Sequence, residues 1–201
     1  MDFSKVKENL ETRGYRVACF PTAAEATEYL AGAIQKTTVA FGGSLTIDEM
    51  GLYDRLIETN KVIWHWRLPA GMTASDARRE AMTTTVYVSS VNGLAETGEI
   101  VNIDGSGNRV ASIFYGHQRV YLVIGRNKLA PDLHQAIHRA RNIAAPKNAQ
   151  RLGVKTPCAA KGDRCHDCDS PARICRGLEV LWRPMTGAAF EVVLIDEDLG
   201  Y

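Results

Sequence analysis

The sequence contains no long hydrophobic segment and carries almost no net charge. No apolar run in its 201 residues approaches the ~18 residues needed to cross a bilayer. The first residues lack the apolar core typical of a secretory signal, so we expect a cytoplasmic protein without a membrane span. The formal net charge is only +1, whereas nucleic-acid-binding domains usually carry a large basic excess. We therefore expect no nucleic-acid partner.

Basic residues are concentrated in the second half of the chain. Residues 117–183 hold 13 Lys and Arg against 5 Asp and Glu, while residues 1–116 hold 11 against 14. A solvated basic surface would explain this asymmetry, and so would a site for an anionic ligand or an acidic partner.

Strand-like and helical segments alternate through the first third of the chain. Alternating apolar residues predict a strand over residues 15–19, with Cys19 in the core, and the apolar run Thr38–Phe41 predicts another. Capping boxes at Thr22 and Thr46 predict the helices that follow them. This alternation predicts an α/β fold with a mainly parallel sheet.

The middle of the chain changes its pattern. Residues 100–103 and 109–114 predict a hairpin around a turn at residues 104–108. The continuous apolar run over residues 120–124 predicts a strand covered on both faces.

The last part of the chain combines a helix with an irregular segment. A long helix is predicted after Pro131, with Pro146 kinking or dividing it. Residues 155–177 are rich in Cys, Pro, Gly and charge, which predicts a loop. The length of the chain favours one domain over residues 1–201, with this cysteine-rich loop within it.

A glycine turn follows the predicted strand Thr38–Phe41 and precedes a predicted helix. It contains Gly42, Gly43, Ser44 and Thr46. Glycines allow the backbone to approach a ligand closely and the hydroxyls add donors, so the turn is a candidate anion-binding site. It matches neither the P-loop nor the dinucleotide-binding motif. The alternative is a tight turn with glycines at positive φ, in which Thr46 only caps the helix.

Polar side chains cluster around the predicted hairpin. They are Asn92, Glu96, Asp104, Asn108 and Arg109. Because α/β folds bind ligands at the ends of their strands, these residues are candidate ligand contacts. A carboxylate there can act as general base or nucleophile, and Glu96 is the candidate for that catalytic role. Ordinary turn chemistry at Asp104 and a solvated Glu96 would explain the same residues.

Four of the five cysteines form a cluster, Cys158, Cys165, Cys168 and Cys175. In a cytosolic protein such clustering indicates metal or redox chemistry. The central C-x2-C pair can place two sulfurs on one ion and the arms can add two more, which suits an iron–sulfur cluster or zinc. His166 is an alternative ligand. Reduced free thiols, or a reversible Cys165–Cys168 disulfide, would also account for the pattern.

An ordered series of these motifs resembles the LUD-domain family. The resemblance rests on the glycine turn with Glu49, residues 96–110, residues 123–128, residues 141–146 and the cysteine segment 156–175. The cysteine segment resembles a single-domain branch of that family. The family is similar to the lactate utilization protein C group, which implies an accessory or electron-transfer role in lactate oxidation beside an iron–sulfur partner protein.

The resemblance also implies a fold and a ligand class. The family's fold resembles that of ribose-5-phosphate isomerases, sugar-phosphate deaminases and CoA transferases. It implies an anionic small molecule at the strand-to-helix loops, with the glycine turn and the five polar residues in one cleft. An enzyme of CoA-transferase or sugar-phosphate isomerase type, and a ligand-sensing regulator, are the alternative functions. No nucleophile motif of the CoA transferases is visible, so whether the protein is an enzyme stays open.

Overall fold

The computed structural model describes residues 2–201, in which short helices alternate with ten strands. In chain order the strands are β1 (Arg16–Phe20), β2 (Thr38–Phe41), β3 (Lys61–Ile63), β4 (Val86–Ser89), β5 (Gly93–Ala95), β6 (Ile100–Asp104), β7 (Arg119–Gly125), β8 (Leu129–Ala130), β9 (Gly177–Leu181) and β10 (Ala189–Ile195). The α-helices are α1 (Ser4–Thr12), α2 (Ala23–Ala33), α3 (Leu45–Glu49), α4 (Leu52–Leu56), α5 (Ala74–Ala81), α6 (Asn108–Phe114), α7 (Leu133–Arg139), α8 (Ala145–Arg151) and α9 (Pro157–Lys161). Within this described part, no helix combines the length and the apolar character needed to cross a membrane.

A six-stranded parallel sheet forms the centre of the fold. Its strands lie in the order β1-β10-β7-β4-β2-β3, and every neighbouring pair is parallel. The predicted α/β fold with a mainly parallel sheet is therefore confirmed. The apolar run predicted to be covered on both faces is the core of β7, and Leu122 and Val123 on its opposite faces are fully buried.

A second, four-stranded sheet packs beside the first one. Its order is β8-β5-β6-β9, with β6 antiparallel to both neighbours and β8 parallel to β5. Leu94 and Ile100 from this mixed sheet share a hydrophobic cluster with Leu122 and Ile124 of the parallel sheet. Its other face packs against α7 through Ala136. The two sheets are thus held together by one apolar core.

The predicted hairpin around residues 104–108 is wrong. β6 pairs with β9 instead, and the residues after the turn form the helix α6. Asp104 Oδ1 accepts hydrogen bonds from the backbone N–H groups of Ser106 and Gly107, each at 2.9 Å. Gly107 has a φ of 80° and leads into the helix, whose Ile113 enters the core. A turn closed by an aspartate starts a helix as readily as it connects two strands.

Two local predictions also need correction. Cys19 is exposed rather than part of the core, because β1 is an edge strand on which alternation does not hide one face. Thr46 does not cap the helix α3. The cap is Ser44, whose Oγ accepts the N–H of Ile47 at 3.4 Å, and this frees Thr46 for contacts inside the fold.

The helix predicted after Pro131 is divided, as expected. A π-helical segment, Ala140–Ala144, joins α7 to α8, and Pro146 lies in the first turn of α8. Proline has no N–H to donate to the preceding turn, and a π-helical segment is a typical irregularity in a helix that contains such a residue.

The cysteine-rich loop, residues 155–177, lies against the turn between β6 and α6. It contains the short helix α9 in addition to irregular backbone. Arg176 donates its backbone N–H to the Asp104 carbonyl at 2.9 Å. A Cβ at Gly105 would lie 2.6 Å from the carbonyl oxygen of Ile174, so only glycine lets the loop approach this closely. The loop is therefore seated on the turn that connects the mixed sheet to α6.

A buried glutamate lies in β9 on the mixed sheet. Glu179 is 4% exposed, and its Oε2 accepts a hydrogen bond from Asn102 Nδ2 at 2.8 Å. Its Oε1 has no hydrogen-bond partner among the described residues. Burial raises the pKa of Glu179 to about 7, although the hydrogen bond from Asn102 and the charge of Arg109 oppose the shift.

We predict a pH-dependent effect of the Glu179→Gln substitution. The folded protein holds the Glu179 proton more tightly than the unfolded chain does, so the wild type should lose stability relative to the variant as pH rises from 4.5 to above 7. A shift of this size corresponds to about 3 kcal/mol in the free energy of unfolding. Urea denaturation at pH 5 and pH 8 measures the difference. The exposed Glu8→Gln variant should follow the wild type, and parallel curves for wild type and Glu179→Gln would contradict the assignment.

Candidate functional site

A cleft with an accessible volume of about 230 Å³ lies along the carboxyl edge of the parallel sheet. The segments that follow four strands supply much of its lining: Gly43, Ser44 and Thr46 after β2, His65 and Trp66 after β3, Ser90 and Asn92 after β4, and Lys128 after β7. Asp104 is the last residue of β6, Asn108 is the first residue of α6, and Asn148 and Arg151 come from α8. This edge is where open α/β sheets bind their ligands.

The glycine turn forms one wall of the cleft. Gly43, Ser44 and Thr46 line it, whereas Gly42 lies behind them. A Cβ on Gly42 would lie 2.6 Å from Ser89 Oγ and 2.9 Å from the hydroxyl of Tyr87. Neither glycine has a positive φ, so close packing explains their presence better than turn geometry does.

Arg109 connects several of the segments that line the cleft. The acceptors of its guanidinium hydrogen bonds are Ser90 O at 3.1 Å, Asn102 Oδ1, Asn92 Oδ1 at 2.9 Å and Ile103 O at 2.7 Å. Its Nε also lies 3.7 Å from Asp104 Oδ2. Because these protein acceptors occupy the guanidinium, Arg109 positions the cleft and has little capacity left for a ligand.

The structure brings together all but two of the residues predicted for the small-molecule site. Asn92, Asp104, Asn108 and Arg109 line the cleft with the glycine turn. Glu96, like Gly42, is not part of the lining. The Glu96 carboxylate pairs with Lys5, and its backbone carbonyl accepts a hydrogen bond from Asn9 Nδ2 at 2.7 Å. The turn between β5 and β6 therefore places Glu96 against α1, so the expectation that it shares the cleft is corrected.

Sequence reasoning missed Lys128 as a site residue. Its side chain is 3% exposed, and its Nζ donates to Thr46 Oγ1 at 2.7 Å and to Ser90 Oγ at 2.8 Å. No carboxylate of residues 2–201 forms an ion pair with it. Burial lowers the pKa of Lys128 to about 7, the nearby charges of Arg139 and Arg109 add to the effect, and the charge of Glu49 opposes it. Its position directly after the central apolar strand is the signal that could have identified it.

Positive charge dominates the cleft. Four Lys and Arg side chains line it, Arg78, Arg109, Lys128 and Arg151, against a single Asp or Glu side chain, Asp104. Arg78 Nε is buried without a hydrogen-bond partner in the described chain. The guanidinium of Arg151 lies 4.9 Å from the centroid of a Trp66 ring. Burial and the charge of Arg78 lower the pKa of His65 to about 4, so this imidazole is neutral at pH 7. Such a cleft favours an anionic ligand.

The four clustered cysteines line a second, smaller cavity beside the cleft. Cys158, Cys165, Cys168 and Cys175 all face it as free thiols, together with His166. Cys165 Sγ accepts the backbone N–H of Asp167 at 3.3 Å and a hydrogen bond from Arg141 Nη2 at 3.8 Å. Among residues 2–201, no three His, Cys, Asp or Glu side chains are arranged to hold one metal ion. Ile174 and Ala145 line both this cavity and the cleft.

Comparison with known proteins identifies the family. The family model described as the LUD domain matches residues 3–194. The chain belongs to the LUD-domain family. A search of curated proteins found no match for this LUD-domain protein. Among solved structures it is similar to a DUF162 family protein from Deinococcus radiodurans, a crystal structure at 1.70 Å resolution. The TM-score is 0.53 at 11% identity, with 97% of this chain and 99% of that chain covered, which supports the fold alone.

We predict that Arg109→Met destabilises the LUD domain by about 3 kcal/mol or more, because it leaves several buried acceptors without donors. Chemical denaturation measures the loss. Arg55→Met is the matched control, since the Arg55 side chain is 38% exposed and pairs with Glu28 and Glu58 at the surface. The control should cost much less, because ion pairs at the surface contribute little to stability. Equal losses in the two variants would contradict the role of Arg109.

Proposed function

We propose that this LUD-domain protein binds a small anionic metabolite in the cleft and acts in lactate utilization. One observation carries the proposal: Lys128 is a buried amine without a carboxylate partner, in a cleft lined by three further cations. A buried ammonium without a counter-ion is costly. A ligand carboxylate or phosphate that supplies the missing charge is therefore favoured.

The position and size of the cleft support the same proposal. It opens at the carboxyl ends of β2, β4 and β7, and its accessible volume of about 230 Å³ suits a small metabolite. The hydroxyl of Ser44 and the side-chain amide of Asn92 also line the cleft, and such polar groups can orient a ligand.

Anion binding should take up a proton. Because burial lowers the pKa of Lys128 to about 7, a bound anion raises it, and binding should weaken as pH rises from 7 to 9. Lactate, pyruvate and inorganic phosphate are the probes. Thermal unfolding measures the stabilisation, and calorimetry in two buffers of different ionisation enthalpy measures the proton uptake.

A pair of lysine variants tests the assignment. Lys128→Met should weaken binding at least tenfold and abolish proton uptake. Lys147→Met, which removes an exposed lysine of α8, should leave both unchanged. If none of the probes stabilises the wild type, the cleft does not bind these three anions. If Lys128→Met binds like the wild type, Lys128 is not the group that recognises the anion.

We also propose that the cysteine cavity holds an iron–sulfur cluster, which would give the protein an electron-transfer role beside an iron–sulfur partner protein of lactate oxidation. The donor set supports it, since four thiols face one cavity and N–H groups donate to Cys165 Sγ. A four-iron cluster takes one thiolate on each iron, so its ligands lie farther apart than those of a single zinc ion. The lack of a three-ligand group for one ion within residues 2–201 therefore favours the cluster over zinc.

When bound, such a cluster supplies one-electron transfer. The chain's own contribution is electrostatic. Arg141 donates to Cys165 Sγ at 3.8 Å, and Arg173 donates to the Cys168 carbonyl at 2.9 Å and the Cys175 carbonyl at 3.2 Å. These cations offset the negative charge that four thiolates create.

Protein purified without oxygen should contain about four irons and four acid-labile sulfides per chain and absorb visible light. Cys168→Ser should lose both, whereas Cys19→Ser, at an exposed cysteine of β1, should keep them. One zinc per chain in a colourless protein would contradict the electron-transfer role. Titration of four free thiols without metal would overturn the metal site altogether.

A further inference from the structure

The amine of Lys128 has an environment that anion binding alone does not require. Two hydroxyls, Thr46 Oγ1 at 2.7 Å and Ser90 Oγ at 2.8 Å, fix the direction of Nζ. Within residues 2–201, these two hydrogen bonds use two of the three directions in which Nζ can bind a partner. Lys128 also lines the cleft, so a ligand bound there can come into contact with its side chain.

We infer that Lys128 is a nucleophile whose amine forms an imine with a small carbonyl compound carrying a carboxylate or phosphate. The inference rests on the proposed function, because it requires that anionic molecules enter the cleft. It adds a covalent step and narrows the ligand class to anionic aldehydes and ketones, such as 2-oxo acids and sugar phosphates.

The protonation state of the amine supports this step. Only a neutral amine carries the lone pair that attacks a carbonyl carbon. An ordinary lysine is almost entirely protonated at pH 7, because its pKa is near 10.4. Burial lowers the pKa of Lys128 to about 7, so a large fraction of the amine is neutral under the same conditions.

The neighbouring hydroxyls can carry the protons of the step. The Lys128 nitrogen forms a bond to the carbonyl carbon, and the carbonyl oxygen takes up a proton to give a carbinolamine. The carbinolamine nitrogen then loses its remaining proton, the hydroxyl oxygen takes up a second proton, the C–O bond breaks and water leaves. Together, the amine and the carbonyl compound give an imine and one water. Thr46 Oγ1 donates to the Leu199 carbonyl at 3.2 Å and is thus fixed as an acceptor toward Nζ. Ser90 Oγ is the hydroxyl that can pass protons between nitrogen and oxygen.

The charged group of the substrate also has a recognition element. Arg78 lines the same cleft, and its Nε is buried without a partner in the described chain. Because Arg109 is occupied by protein acceptors, Arg78 is the guanidinium best placed to bind a carboxylate or phosphate. A carbonyl compound that carries such a group would be held while Lys128 attacks.

Reductive trapping tests the inference. The wild type is incubated with pyruvate or with glyceraldehyde 3-phosphate and sodium cyanoborohydride, and peptide mass spectrometry locates the adducts. We expect one adduct per chain at Lys128, at least tenfold above labelling of any exposed lysine. Lys147→Met should be labelled at Lys128 like the wild type, and Lys128→Met should lose the adduct.

Two further measurements separate the possible failures. Phosphate, which has no carbonyl, should compete and reduce labelling of the wild type, so the test does not depend on the folding of Lys128→Met. If the probes raise the unfolding temperature but no adduct forms at Lys128, the imine is overturned and the anionic site stands. Labelling spread evenly over the exposed lysines also overturns it. If the probes neither stabilise the protein nor label Lys128, both the imine and the proposed binding fail.

Discussion

The cleft depends on one guanidinium that joins two sheets. β4 belongs to the parallel sheet and β6 to the mixed sheet, and within residues 2–201 no backbone ladder connects them. Arg109 bridges this gap by donating to the Ser90 carbonyl after β4 and to the Ile103 carbonyl in β6. Because a guanidinium is planar and presents its donors in a fixed fork, it sets both the spacing and the orientation of the strand ends. Ser90 and Asn92 face the ligand space as a consequence.

Much of the fold could be predicted from local patterns. The apolar run of β7 and the cap at Thr22, which accepts the N–H of Glu25, correspond to the observed elements. The hairpin prediction failed because a turn closed by Asp104 is compatible with a strand or a helix on its far side. The partner that decides the matter is β9, which lies far away in the sequence and pairs Ile100 with Leu181. Local sequence carries no information about such a pairing.

The candidate site was predictable only in part, for a similar reason. Glycines and turn-forming polar residues identified the segments that line the cleft. Lys128 was missed because its neighbours in sequence, Arg126 and Asn127, are polar and suggest an exposed loop. Its burial arises from distant chain, since Thr46 and Gly200 pack around its amine. Glu96 is the opposite case, a residue predicted to line the cleft that lies elsewhere. Its carboxylate pairs with Lys5 and its carbonyl accepts a hydrogen bond from Asn9, so it contacts α1.

The contact between Gly105 and the cysteine-rich loop limits which substitutions the chain can accept during evolution. A side chain at position 105 would collide with the Ile174 carbonyl as long as the loop is present. A homologous chain that lost the loop would be released from this restriction, and any residue compatible with the backbone could then occupy the position. The same loss would remove Ile174 from the wall of the cleft. The loop, the residue at 105 and the shape of the binding space are therefore expected to be inherited together.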